Sequence, residues 1–304
     1  MKHFLLLILF ALSANYIFSQ GCSDAGFCSL GALKDVSQGT SHKQSIDFGA
    51  NIGFGEQNTF SLNPYVQYNL PLNKHVSLLG KLTATYASGF LGRAFNVGDF
   101  YGVATYTPNK DAVNSLRLLG GFKIPFTSAN SKSAAGLPLP LDYQSSIGTY
   151  DIITGINYII HGRLEFDAGL QAPIIQVNKN TFFADEYTDP KTMKFASTNN
   201  FRRKADVLFR AGYYIKLNSS VTIKPNLLAI YHLGEDTYEN RFGKRTVIKG
   251  SDGLTLNGGI TASKQFTNGN RLEAIVATPF VVRDTRADGL TRNFVFNLQY
   301  SIAF

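Results

Sequence analysis

Five histidines, two cysteines and a scatter of acids and bases are the side chains with which this 304-residue chain could do chemistry. His232 stands three residues before Glu235-Asp236, which puts an imidazole and two carboxylates within the reach that acid–base work requires. Solvated loop charges are the plainer reading of that trio. His75 and His161 fall in short turns, and His3 belongs to the leader. Cys22 and Cys28 are close together in a chain that carries an export leader, so a local disulfide is expected, with a metal or redox pair as the alternative. Neither His nor Met stands beside them to complete a metal site. No glycine-rich phosphate loop and no metal-ligand spacing occurs, so the chain is expected to use no cofactor or metal and to be no enzyme.

The charged residues that remain are arranged by something else, a two-residue period. In the last segment every even position from Phe294 to Phe304 is apolar, while the odd ones are mostly polar or small. A strand sends alternate side chains to opposite faces, so one face is greasy and the other is not. The rule recurs upstream. Ile46, Phe48, Ala50, Ile52 and Phe54 form one such row, and Leu164, Phe166, Ala168, Leu170, Ala172 and Ile174 form another. Val207, Phe209, Ala211, Tyr213, Ile215 and Leu217 form a third. About twelve segments follow this pattern; only the fourth, near 97–107, has an ambiguous phase. The complementary row holds six acids, Asp47, Asp151, Glu165, Asp167, Asp206 and Glu273. It also holds six bases, Lys81, Arg117, Lys123, Arg210, Lys216 and Lys224. Charge in the middle of a lipid-facing strand costs about 2–4 kcal/mol, so a bilayer enforces this segregation and places the second row in a lumen.

The leader fixes the compartment. Met1-Lys2-His3, the apolar run from Phe4 to Leu12 and the less greasy exit to Ser19 have the layout of a secretory signal peptide, residues 1–19. Gly21 suits a lipid-modified Cys22 but Ser19 does not, which makes lipidation the lesser alternative. Residues 20–43 read as a Gly/Ser-rich periplasmic or plug segment and 44–304 as the barrel. Beyond the leader no apolar run reaches the eighteen or so residues of a membrane helix. The net charge of +8 is dispersed along an exported chain and does not call for nucleic acid.

The closing segment resembles the terminal strand of Gram-negative outer-membrane β-barrels, in which a final Phe after alternate apolar residues is read by the barrel-assembly machinery. That resemblance implies Phe304, Ile302 and Tyr300 as the assembly signal. The chain is generically similar to outer-membrane transporter-like barrels, including the group associated with aromatic-compound degradation. Turns after strands two, four, six, eight and ten are tight, and those after five, seven and nine are long. The fold class expected is therefore an all-β, antiparallel, up-and-down transmembrane β-barrel with short periplasmic turns, long extracellular loops and periplasmic termini. Twelve-stranded barrels include a phospholipase whose motif has a His two residues before Ser-Asn-Gly. Here His161 precedes Gly162-Arg163 and His232 precedes Leu233-Gly234, so that motif is missing.

The expected role is a non-catalytic channel for small solutes in the outer membrane. A plugged barrel acting through its loops, and a rim hydrolase centred on His232, are the alternatives. Expected partners are outer-membrane lipid, lipopolysaccharide and the assembly machinery. Arg202-Arg203-Lys204, with Arg241, Lys244, Arg245 and Lys249, could meet lipopolysaccharide phosphates from the outer loops or simply be solvated. Phe182, Phe183, Tyr187 and Phe195 in the longest loop could form a constriction, recognise a ligand or pack the loop.

Overall fold

The computed structural model describes residues 43–108, 114–288 and 294–304. The proposed signal peptide, plug segment and disulfide lie outside them. Twelve antiparallel strands make one closed sheet: β1 (Ser45–Phe54), β2 (Phe60–Pro71), β3 (Val76–Gly89), β4 (Gly92–Tyr106), β5 (Ser115–Pro125) and β6 (Thr149–Ile160). They continue as β7 (Leu164–Gln176), β8 (Asp206–Tyr213, extended by Ile215–Lys216), β9 (Val221–His232), β10 (Gly253–Gln265), β11 (Arg271–Val281) and β12 (Val295–Ala303). Each strand pairs with its sequence neighbour, and β12 pairs with β1 through Tyr300↔Phe48 and Leu298↔Ala50. Closure leaves no edge strand, as a sheet surrounded by lipid requires.

The outer row is the apolar one. Phe48, Leu82, Phe122, Ile156, Phe209, Ile260 and Leu298 are all exposed on it, Ile156 at 49 % and Ile260 at 54 %. Tyr68, Tyr106, Tyr158, Tyr213 and Tyr300 are exposed toward one end of the barrel. Phe54, Phe90, Phe95, Phe126 and Phe280 are exposed toward the other. An apolar belt flanked by two aromatic girdles is the exterior of a membrane barrel. A soluble barrel would hide these side chains and show its charges. Among the described residues no helix is long and apolar enough to cross a membrane.

The connections at the terminal end of the barrel are the shorter ones, and the opposite end carries the long segments 126–148, 177–205, 233–252 and 282–294. Two connections there, 55–59 and 90–91, are short as well, which departs from strict alternation. The ambiguity of the fourth segment has a physical cause. A β-bulge between β3 and β4 shifts the register between Leu82 and Ala84, whose partners are Phe100 and Val97. Phe95 and Val97 therefore face out on one side of the bulge, while Tyr101 and Val103 face in on the other. Thr83 staples the irregularity, accepting from the Asp99 amide at 2.9 Å and donating to the Asp99 carbonyl at 3.1 Å.

Gly98 sits at this bulge with no room for a side chain. An added Cβ would lie 2.7 Å from the Ser145 carbonyl oxygen, a backbone atom that cannot swing away. Gly98→Ala is expected to destabilise the barrel by about 1–3 kcal/mol through overpacking. A lower thermal midpoint in detergent, followed by circular dichroism, checks it, and an unchanged midpoint would refute the tight fit.

Candidate functional site

Four layers of side chains occupy the inward row. Toward the terminal end, Asp47 accepts from Gln67 at 2.9 Å, Asn69 at 2.9 Å and Gln299 at 3.0 Å, three amides around one carboxylate. Lys81 lies 4.0 Å above the Tyr65 ring, whose hydroxyl donates to Gln299 at 2.8 Å. Beside this group, Lys224 meets Glu165 at 2.6 Å and Arg210 meets Asp167 at 2.7 Å. Asn157 donates to both of those carboxylates. Two cations and two anions balance there, as burial demands.

The next layer is apolar. Leu79, Tyr101, Val103, Leu119, Ile153, Leu208, Leu228 and Ile230 form a buried cluster inside the barrel. Their positions in sequence give a signal that the alternation hides: each of five strands carries two adjacent large apolar residues. These are Leu78-Leu79, Leu118-Leu119, Ile152-Ile153, Val207-Leu208 and Leu227-Leu228. One of each pair faces lipid and the other faces the lumen as part of this cluster, an apolar septum on the β3–β9 side. Above it Lys123 sits 3.2 Å from Asp151 and 3.6 Å from Asp99, with Ser146 donating to Asp99 and Gln171 to Asp151, both at 2.5 Å.

The outermost layer ties the loops to the wall. His232, at the end of β9, has Nδ1 2.5 Å from Asp206 and Nε2 2.8 Å from Asp236. Both ring nitrogens can donate only in the imidazolium form, so the geometry describes a buried cation between two carboxylates. Arg203 pairs with Asp206 and approaches Asp288 at 3.8 Å, while Arg283 pairs with Asp288 at 3.0 Å and donates to the Ser251 carbonyl at 2.6 Å. Three cations thus face three anions, drawn from β8, β9 and three long loops. Burial alone would raise Asp288, but Arg283 and Arg203 outweigh it and hold the carboxyl below the ordinary range. Burial raises Asp236, against the pull of His232.

Above this clamp the loops have a core of their own. Ala129, Leu141, Ile147, Phe201, Ile248 and Ala287 come together from four different loops. Phe182 and Phe195 pack with Leu139, Tyr143 and Ala87, and Arg241 lies over the Phe183 ring at 5.2 Å. The aromatics of the longest loop therefore pack the cap. Asn180 pins it further, donating to the Ala129 and Leu139 carbonyls at 2.8 and 2.9 Å and accepting from the Phe182 amide at 2.9 Å. Such amides satisfy loop backbone that would otherwise be buried without partners.

Of the twelve charged residues expected in the lumen, eleven are buried or nearly so on the inward row, Arg117 at 8 % and Glu273 in contact with Arg271 among them. Lys216 is the correction: it keeps the inward phase opposite Thr222 but lies exposed at the barrel's rim, because β8 breaks at Tyr214. The reading of His232 and Asp236 as solvated loop charges is also overturned, since they are 1 % and 0 % exposed. Arg203 is likewise buried and leaves the surface cluster to Arg202 and Lys204. Asp99, Arg203, Asp236, Arg283 and Asp288 were not legible as interior charges from alternation. A bulge hides the first and loop tertiary structure hides the rest.

The chemistry open to this interior is narrow. Ser251 Oγ donates to the Ile248 carbonyl at 2.6 Å and accepts from the Asp236 amide at 2.7 Å, so it is not presented to His232. An imidazole with both nitrogens engaged is no general base. Among the described residues no group of three or more His, Cys, Asp or Glu could hold a metal ion.

No protein-family model matches the sequence, and no curated protein is significantly similar to it. Solved structures do match. An outer-membrane channel from Pseudomonas putida F1 superposes with a TM-score of 0.58 at 13 % identity, over 86 % of this chain and 94 % of that one. The fold is that of an outer-membrane β-barrel. The translocator domain of the autotransporter NalP from Neisseria meningitidis superposes with a TM-score of 0.50 at 12 % identity, over 92 % of this chain and 95 % of that one. Identities this low establish the shared barrel alone.

Proposed function

We propose that this outer-membrane barrel is a non-catalytic channel for small solutes, closed at its outer mouth by a folded cap. The observation that carries the reading is the inversion of the two rows. Apolar side chains face out, whereas a polar, charge-balanced interior with loops clamped across its end faces in. A twelve-stranded wall encloses more space than the eight-stranded kind that side chains fill.

The rest of the proposal follows from the sequence. The segment 1–19 directs export and is removed. Phe304, Ile302 and Tyr300 present the assembly signal, the last two exposed on the outward face beside Phe304. Arg202, Lys204, Lys244 and Lys249, exposed or half-exposed on the outer loops, suit the phosphates of lipopolysaccharide. A rim hydrolase is disfavoured by the occupied imidazole of His232.

A specific observation favours a second reading, a plugged barrel that works through its loops: a buried apolar cluster lies inside the barrel and another packs the loops over its outer mouth. Planar-bilayer recording separates the two. The channel reading expects small, discrete current steps or measurable solute flux into vesicles. Silence in both assays, from protein shown to be folded, supports the plugged barrel.

A further inference from the structure

The inward row is not uniform around the barrel. From β3 to β9 it is filled by ion pairs and the septum, but from β10 round to β1 it changes character. Thr255, Thr261, Ile275 and Asn51 point inward there and are only half-buried. Thr261 pairs with Ile275, Ile275 with Asn297, and Asn297 with Asn51, so these side chains share one level across three strand interfaces. Thr255 and Thr261 are six residues apart, roughly 20 Å along the strand. Between them Asn257 is 2 % exposed, and neither its amide nitrogen nor its amide oxygen has a hydrogen-bond partner. Leaving a buried amide unmet is unfavourable, and such an orphan calls for an explanation.

We propose that this wall is the solute passage, that it takes small uncharged molecules bearing hydroxyl or amide groups, and that Asn257 is the group that reads them. The proposal rests on the channel reading and names its solute class. An ion entering here would exchange water for threonine, asparagine and isoleucine, with no charged side chain among them to compensate. A hydroxylated solute exchanges its water bonds for equivalent ones, and Asn257 offers one donor pair and one acceptor at the point where both are unmet. The charged groups on this side stand at the terminal end: Arg271 with Glu273 on β11 is internally neutralised, and Asp47 on β1 is engaged by three amides.

The test uses the full chain in vesicles with Cys22 and Cys28 replaced by Ser. In that background Thr261→Cys should react readily with methyl methanethiosulfonate, while Ile153→Cys in the septum should be protected until the protein is denatured. Vesicle swelling should be faster in erythritol than in sodium erythronate. Asn257→Leu should slow erythritol by about tenfold through the loss of two hydrogen bonds, and Asn257→Thr should restore most of the rate. Protection of Thr261→Cys equal to that of Ile153→Cys overturns the passage. Faster erythronate flux, or an unchanged rate in Asn257→Leu, overturns the solute class. Labelling at Thr261 with no flux of either solute overturns the channel reading and the solute class together, and leaves the wall's accessibility standing.

Discussion

Arg203→Ala should open the outer mouth of the barrel. Arg203 is fully buried and holds Asp206 of the wall and Asp288 of the last loop at once, so its removal leaves three buried carboxylates facing two cations, with Asp206 keeping only His232 and Asp288 only Arg283. Breaking a buried pair from one side costs about 3–5 kcal/mol. The cheapest relief is for the loops to lift and hydrate the acids, because the cap is joined to the wall through this network while the strands are held by a continuous ladder. Larger current steps and faster protease cleavage within 233–252 are the expected results. Arg241→Ala is the control. Its 2.8 Å pair with Asp185 is about half exposed on both sides, and such pairs contribute at most about 1 kcal/mol. Equal behaviour of the two variants would mean that the clamp does not hold the cap.

Acid should mimic the first variant. Asp288 is held below its unfolded value of 3.8, so its contribution to the clamp is complete above that value. It is lost as pH falls further. The wild-type conductance is therefore expected to rise toward that of Arg203→Ala as the pH is taken below 3.8 and through the lowered folded-state value of Asp288, and Asp288→Asn should remove that part of the response.

Ile156→Lys should be the most costly exchange on the outer wall. Ile156 lies mid-way along β6, half exposed, between Leu118 of β5 and Ala168 of β7. A lysine there places an ammonium in hydrocarbon at about 2–4 kcal/mol, whereas the same exchange on a water-facing surface would be close to neutral. The denaturant midpoint of the folded barrel in vesicles reads the difference. A midpoint equal to wild type would mean that Ile156 meets water.

Much of this architecture is legible in the sequence because a membrane strand obeys one rule at every position. Phe48, Phe122, Phe209 and Ile260 announce their face through their neighbours two residues away, and register follows from the face. Legibility stops where that rule does. The bulge beside Gly98 shifts the phase of β4, which is why Asp99 escaped notice while its partner Lys123 did not. The septum was masked because Leu79, Leu119 and Ile153 break alternation by being apolar on the wet side, a departure that reads as noise in one strand and as a layer in five. The clamp was beyond reach for a different reason. Arg203, Asp236 and Asp288 lie in loops, where no period constrains a side chain, and their juxtaposition depends on contacts between segments 32 to 85 residues apart. A basic triplet such as 202–204 looks like surface until the fold turns its middle member inward.

The chain has no tryptophan, so a single introduced indole reports one position without background. Ile156→Trp on the outer row and Ile153→Trp in the septum, each reconstituted in vesicles of brominated lipid, test directly whether lipid is the solvent of the apolar row. Strong bromine quenching of the indole at 156, with little at 153, is the predicted result; equal quenching, or quenching at 153 alone, would contradict the account.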